Sequence, residues 1–471
     1  MDNRAATLIE RFTDLSRQFV DDGHTPGLAV AVAFSDAPPQ AHTWGLRQID
    51  PPCAITLTTR FHLGSLSKLT VAIAVWRLIE RGALRLDSEL VVRDVRFMLP
   101  RGSSSVRVQD VLLHLSGISD TNTWREEVDD TPPPRIDLPD IVRIKKAPGT
   151  GWCYSNLAFG LLARMVADTV GTSFEEHIKS TVFSPLGLTS AYFTRDAGTD
   201  PELALPYDRV DETWRVSPIP VVDPLPSIGL VCDPLDAVRL AAATAYSRRL
   251  LRLSMFEHLG QARYRIDGSG THQRPYLLRS EMGGNEIFWH DGLAGGHSTM
   301  LYFIPRLDCT FALFTNVSTW GLKNHLGPVL VRRALGLDQP TSTTPRPIAK
   351  SPLVGRYGFP VRSILEPRPP DVKVVQKDGI LRLTPDAEHI EVALHHIEEK
   401  DNLRFAMDGD DYGFNAVFVP GPRRGAMRLT VDGLTLLHRR RWPANLAWRT
   451  HLGVRWLLAR LACAIAPRAR G

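Results

Sequence analysis

From Leu66 to Arg81 the chain reads Leu-Ser-Lys-Leu-Thr-Val-Ala-Ile-Ala-Val-Trp-Arg-Leu-Ile-Glu-Arg, and Gly82 follows. The run is long enough for four helical turns, holds no proline, and ends on a residue suited to a helix C-terminus. Its apolar positions (Leu66, Leu69, Val71, Ala72, Ile73, Val75, Trp76, Leu78 and Ile79) fall on nearly every face. A helix without a polar face has no place on a surface, so the rest of the domain must be built around this one. A lysine, Lys68, stands at its head, three residues after Ser65.

The surrounding sequence supplies that domain. A second helical pattern runs from Leu157 to Thr169, and short apolar runs at Leu28 to Phe34, Met300 to Ile304 and Phe311 to Thr315 have strand length. This α/β texture holds over residues 1–337. A linker follows at 338–352, where Pro340, Pro345 and Pro347 with threonines and serine forbid regular structure. Over 353–438 the period shortens, and Asp378-Gly379, Asp408-Gly409 and Asp432-Gly433 separate β-prone stretches as hairpin turns would. A small antiparallel barrel or sandwich is expected there.

Residues 439–471 form a basic tail with eight arginines and no Asp or Glu. Subtracting these eight from the overall charge of +5 leaves −3 for the body, so basicity is confined to the tail. Such a distribution does not describe a nucleic-acid-binding face, which spreads Lys and Arg over structured elements. The tail is too charged to span a bilayer, and three readings stay open: packing on its own barrel, peripheral membrane contact, and docking to an acidic partner. The N-terminus lacks the apolar stretch of a secretory signal, so a cytoplasmic location is expected. The five cysteines are scattered, with no pairing or metal-ligand spacing, so neither a disulfide framework nor a metal site is expected.

Three motifs carry chemistry. In Gly64-Ser65-Leu66-Ser67-Lys68, residues three apart share a helical face, so the Lys68 amine can reach the Ser65 hydroxyl. Burial of that amine favours its neutral form, the only form able to accept the serine proton. The second motif is Tyr154-Ser155-Asn156, ahead of the helix at Leu157. In an extended stretch its phenol and amide point the same way, one to relay a proton and the other to bind a carbonyl. Cys153 beside it reads as a packing residue or a reactive thiol. The third is His290-Asp291-Gly292-Leu293, leading into the strand at Met300. Its glycine permits close backbone approach, and the Leu293 N–H paired with that of Ser65 would form an oxyanion hole. Each motif alone has a bland reading as a cap, a loop or a surface histidine.

As an ordered set, these motifs resemble the S-x-x-K, Y-x-N and K-T-G triplet of penicillin-binding proteins and class C β-lactamases (peptidase S12 type), with H-x-G in third place. Asp110 to Gly117, Val182 to Leu188 and Ile228 to Asp236 are similar to further stretches of that family. The resemblance implies an antiparallel sheet flanked by helices, an all-α subdomain, and a lipocalin-like barrel after the catalytic domain. It also implies Ser65 as nucleophile, Lys68 as base, Tyr154 as proton relay, Asn156 as substrate-amide ligand and His290 with Gly292 as the far wall, without a cofactor. Histidine in place of lysine holds a substrate carboxylate less well, which argues against strong β-lactamase or cell-wall peptidase activity.

The H-x-G variant is similar to D-aminopeptidases, to esterases and to stand-alone thioesterases that release and cyclise nonribosomal peptides. The expected activity is therefore the last of these, fed by a peptidyl carrier protein, with Asp291 receiving the incoming ammonium. A hydrolytic D-aminopeptidase or esterase is the alternative, and a non-enzymatic sensor the third reading.

Overall fold

The computed structural model describes residues 4–337, apart from 36, 119–140, 145, 195–199, 211–212, 218–224, 266–271, 295, 318–321 and 323–325, together with the strands of a second unit between 355 and 439. The chain divides into two compact units, the first made of Met1–Thr341 with Asp410–Phe414 and the second of Ser342–Gly409 with Asn415–Gly471. The expected linker 338–352 and the tail from residue 440 lie outside the described residues.

The first unit is organised by a nine-stranded antiparallel sheet. Its strands are β1 (Gly27–Phe34), β2 (Ala37–Gln48), β3 (Cys53–Ala54), β4 (Tyr264–Arg265), β5 (His272–Gln273), β6 (Leu278–Met282), β7 (Asn285–Ala294), β8 (His297–Ile304) and β9 (Cys309–Thr315), in the order β4-β5-β6-β7-β8-β9-β1-β2-β3. Chain distant in sequence meets at the centre, where Leu28 opposes Thr315 and Phe34 opposes Cys309. Every residue of β1, β8 and β9 is buried, so both faces of these strands are covered.

Alternation along β9 assigns the two faces. Phe311 meets Phe12 of the helix α1 (Arg4–Asp21), with ring centroids 5.3 Å apart. Ala312 and Phe314 point the other way, into the main core shared with α2 (Lys68–Glu80), α3 (Asn156–Val170) and the helix Pro234–Ala245. Ten of the thirteen residues of α2 are buried, Lys68 included, which bears out the interior helix expected from its apolar circumference. Among the described residues no single helix is long and apolar enough to cross a membrane.

In the second unit, eight strands from Gly355–Gly358 to Thr435–Arg439 pair antiparallel in sequence order, and the first closes on the last. Lys377 opposes Ile380 and Val431 opposes Thr435, so the chain reverses around two of the expected turn dipeptides. The dipeptides themselves lie outside the described residues.

Candidate active site

Ser65 does not sit in the α-helix itself. A single 3-10 turn, Gly64–Ser67, precedes α2, and Ser65 lies half-buried within it. The sequence reading placed the serine at an α-helix start, and local packing explains the tighter turn. Gly64 has φ +54°, and a Cβ there would lie 2.6 Å from the Leu293 nitrogen. The turn is then pinned from several directions. Ser67 Oγ donates to the Gly64 carbonyl at 2.6 Å and accepts from the Leu230 N–H at 3.0 Å, while Thr299 Oγ1 donates to the Leu63 carbonyl at 3.0 Å. Ser67 and Thr299 were not singled out by sequence, because a short polar side chain beside a motif has many ordinary uses.

The Lys68 side chain is fully buried and its Nζ lies 3.1 Å from Ser65 Oγ. It also donates to Asn156 Oδ1 at 2.5 Å and to the Ser227 carbonyl at 3.1 Å. The Ser227 contact could not be found from sequence, since a backbone carbonyl carries no residue signal. The Tyr154 hydroxyl donates to Ser65 Oγ at 2.6 Å, and Lys68 Nζ lies 4.9 Å from the Tyr154 ring centre. One hydroxyl is thus met by an amine 3 residues away and a phenol 89 residues away in sequence, a hydrogen-bonded arrangement suited to moving a proton on and off the serine.

The second motif combines the expected extended backbone with a helix start. Ser155 is an N-cap with φ −151° and ψ 119°, its Oγ accepting from the Ala158 N–H, and Asn156 opens α3. Tyr154 and Asn156, on either side of this extended residue, both reach Lys68. The Asn156 amide is buried with its oxygen turned to Lys68.

The third motif lies on β7. Its pairing with β6 stops at Trp289 opposite Leu278, whereas pairing with β8 continues through Ala294 opposite His297. Residues 290–294 therefore have a ladder partner on one side only among the described strands, and the 3-10 turn of Ser65 packs beside them. Gly292 makes this contact sterically feasible: an added Cβ would lie 2.0 Å from the Leu63 carbonyl oxygen and 2.3 Å from Thr299 Oγ1. The Leu293 backbone lies against Gly64, and the Leu293 side chain is exposed.

His290 lies beside the site, its ring centroid 6.3 Å from that of Tyr154. It is only 3% exposed, stacks on Tyr276 with centroids 5.0 Å apart and planes 6° from parallel, and donates from Nδ1 to the Asp291 carbonyl at 2.6 Å. The Asp291 carboxylate is partly exposed, with Oδ1 4.0 Å from His290 Nδ1. Cys153 is half-buried, its Sγ 3.8 Å from the Ile118 carbonyl, and the described cysteines form no disulfide.

The match to known proteins follows this geometry. The family described as Beta-lactamase matches residues 12–335, and this chain belongs to it. It is a serine hydrolase of the β-lactamase and penicillin-binding-protein family. A relative, penicillin-binding protein 4 of Amycolatopsis lactamdurans, is 26% identical over 390 residues, covering 74% of this chain and 96% of the relative. An unguisins hydrolase of Aspergillus campestris is also 26% identical, over 69% of this chain and 64% of that protein. Among solved structures, the octameric penicillin-binding protein homologue from Pyrococcus abyssi superposes with TM-score 0.62 at 18% identity, over 92% of this chain and all of its own. EstCE1, titled a hydrolase with promiscuous acyltransferase activity, gives 0.59 at 19% identity, over 71% of this chain and all of its own. The structural likenesses carry the fold.

Proposed function

We propose that this protein is a stand-alone peptidyl thioesterase of the S12 type that releases and cyclises a nonribosomal peptide through an ester on Ser65. The observation that carries the reading is the Ser65 hydroxyl held between the Lys68 amine and the Tyr154 phenol, beside the open side of residues 290–294. A peptide-like chain laid along that edge places its carbonyl over Ser65, with the Ser65 and Leu293 N–H groups facing the developing oxyanion. Ser65 Oγ attacks the thioester carbonyl, its proton passes to Lys68, and the carrier thiol departs with a proton relayed through Tyr154. The peptide's own amine then attacks the ester, gives up a proton, and Ser65 leaves reprotonated.

Support for a peptide acyl group without an anchored terminal carboxylate comes from His290, which is buried and folded against Tyr276. Asp291 stays partly exposed and is suited to the incoming ammonium. The promiscuous acyltransferase activity of EstCE1 is compatible with transfer to an amine. In this reading the second unit is a lipocalin-like barrel, and the Arg-rich tail attracts an acidic carrier protein in the cytoplasm or touches a membrane surface. Hydrolysis by the same residues, as a D-aminopeptidase or esterase, is the second reading, and the name of the unguisins hydrolase favours it.

Mass spectrometry of the enzyme mixed with a peptidyl thioester ending in a D-residue tests both readings. The expected result is an adduct on Ser65 followed by cyclic peptide. Linear acid alone would support the hydrolase, and neither adduct nor product would remove both readings.

A further inference from the structure

We propose that His114 is a positioning residue for the Tyr154 phenol, gripping the chain on either side of it and forming the floor beneath its ring. The inference deepens the acyl-enzyme reading above and rests on it. His114 follows the short helix Val108–Leu112, and three of its contacts converge on one neighbour. Its carbonyl accepts from the Cys153 N–H at 2.7 Å, and its Nδ1 accepts from the Ser155 N–H at 3.2 Å. These are the residues immediately before and after Tyr154. Between them, the imidazole stacks on the Tyr154 ring with centroids 4.3 Å apart and planes 25° from parallel.

Two features of His114 are costly enough to need a reason. Its backbone adopts φ +56°, a left-handed conformation uncommon for a residue with a side chain. Its ring is 1% exposed, and Nε2 has no hydrogen-bond partner among the described residues. Because Nδ1 accepts a backbone N–H, the ring proton of the neutral form lies on Nε2, a buried donor without a partner among the described residues. A leucine would fill the space without that penalty but could not accept from Ser155. Desolvation chiefly, with the charges of Lys68 and His290 adding to it, holds His114 well below the ordinary imidazole range, so the floor stays uncharged beside the amine. Trp152, tied to Gln273 Oε1 through its indole N–H at 3.1 Å, anchors the same segment from its other end.

A phenol displaced from Ser65 loses proton delivery to the leaving group, and this separates positioning from general stability. The test compares a nitrophenyl ester, whose leaving group needs no proton, with an alkyl ester, whose leaving group does, on the full-length enzyme. Rates are taken per active site titrated through Ser65. Two variants divide the contacts: His114→Asn tolerates the left-handed backbone and keeps an acceptor while removing the ring, and His114→Phe keeps a flat ring and removes the acceptor. Tyr154→Phe supplies the benchmark. The expected result is that at least one His114 variant loses about tenfold more rate on the alkyl ester than on the nitrophenyl ester, in the same sense as Tyr154→Phe. Equal losses on both esters, or none, while Tyr154→Phe retains its selective loss, would overturn the inference and leave the acyl-enzyme reading standing. If Tyr154→Phe itself shows no selective loss, the role given to the phenol fails and this inference fails with it.

Discussion

Replacing Gly292 with alanine tests whether the approach of β7 to the serine turn builds the oxyanion site. The new Cβ would stand 2.0 Å from the Leu63 carbonyl oxygen and 2.3 Å from Thr299 Oγ1. The threonine can rotate away by giving up its hydrogen bond to Leu63, but the carbonyl belongs to the backbone leading into Ser65 and cannot. Restoring an ordinary contact of 3.4 Å from 2.0 Å requires the strand and the turn to part by about 1.4 Å. Overpacking of this kind costs about 1–3 kcal/mol of stability, which a unit with this much buried sheet should survive. The Leu293 donor moves with the strand, and loss of one oxyanion donor lowers kcat by about 10²–10³. The assay is ester turnover per titrated site, with thermal unfolding recorded in parallel. Gly260→Ala serves as the control, because an added Cβ there meets nothing within 4 Å. A folded Gly292→Ala enzyme with a rate within about threefold of the unmodified protein would refute this account of the site.

Further outcomes follow from the same geometry. Ser65→Ala should abolish covalent labelling by an acylating probe, and Lys68→Ala should slow acylation by about 10²–10⁴, read by stopped-flow release of a nitrophenolate; near-normal acylation without Lys68 would remove its role as base. The buried His297 is pushed down to about 3, by desolvation first, with His62 adding to the effect. An unfolded histidine binds a proton below about pH 6.5, so the stability this group contributes is complete above that pH and is lost progressively down to about 3. Between about pH 7.5 and about pH 5 the loss from this one residue should be about 2 kcal/mol, measured by urea unfolding. His297→Asn should shrink that pH dependence by the same amount, and an unchanged dependence would contradict the assignment.

The sequence alone determined the elements whose character is local. An apolar run with no polar face had to become an interior helix, and α2 is one. The three-residue step from Ser65 to Lys68 survived a change from an α-helical to a 3-10 start, because a side chain three residues on stays on the same side in both. Asn156 converges with Tyr154 because Ser155 between them is extended, as expected, although Ser155 is also the N-cap of the helix that Asn156 opens.

Only the tertiary structure decided what surrounds the third motif. His290 packs on Tyr276, reached from a separate strand connection, and nothing in the spacing of residues 290–292 encodes that contact. The Ser227 carbonyl beside Lys68 and the grip of His114 on both flanks of Tyr154 are likewise contacts between distant segments. The physical reason is common to all of them. Periodicity and spacing record what neighbours along the chain do, whereas the surroundings of a buried polar group are set by whichever backbone the sheet brings against it.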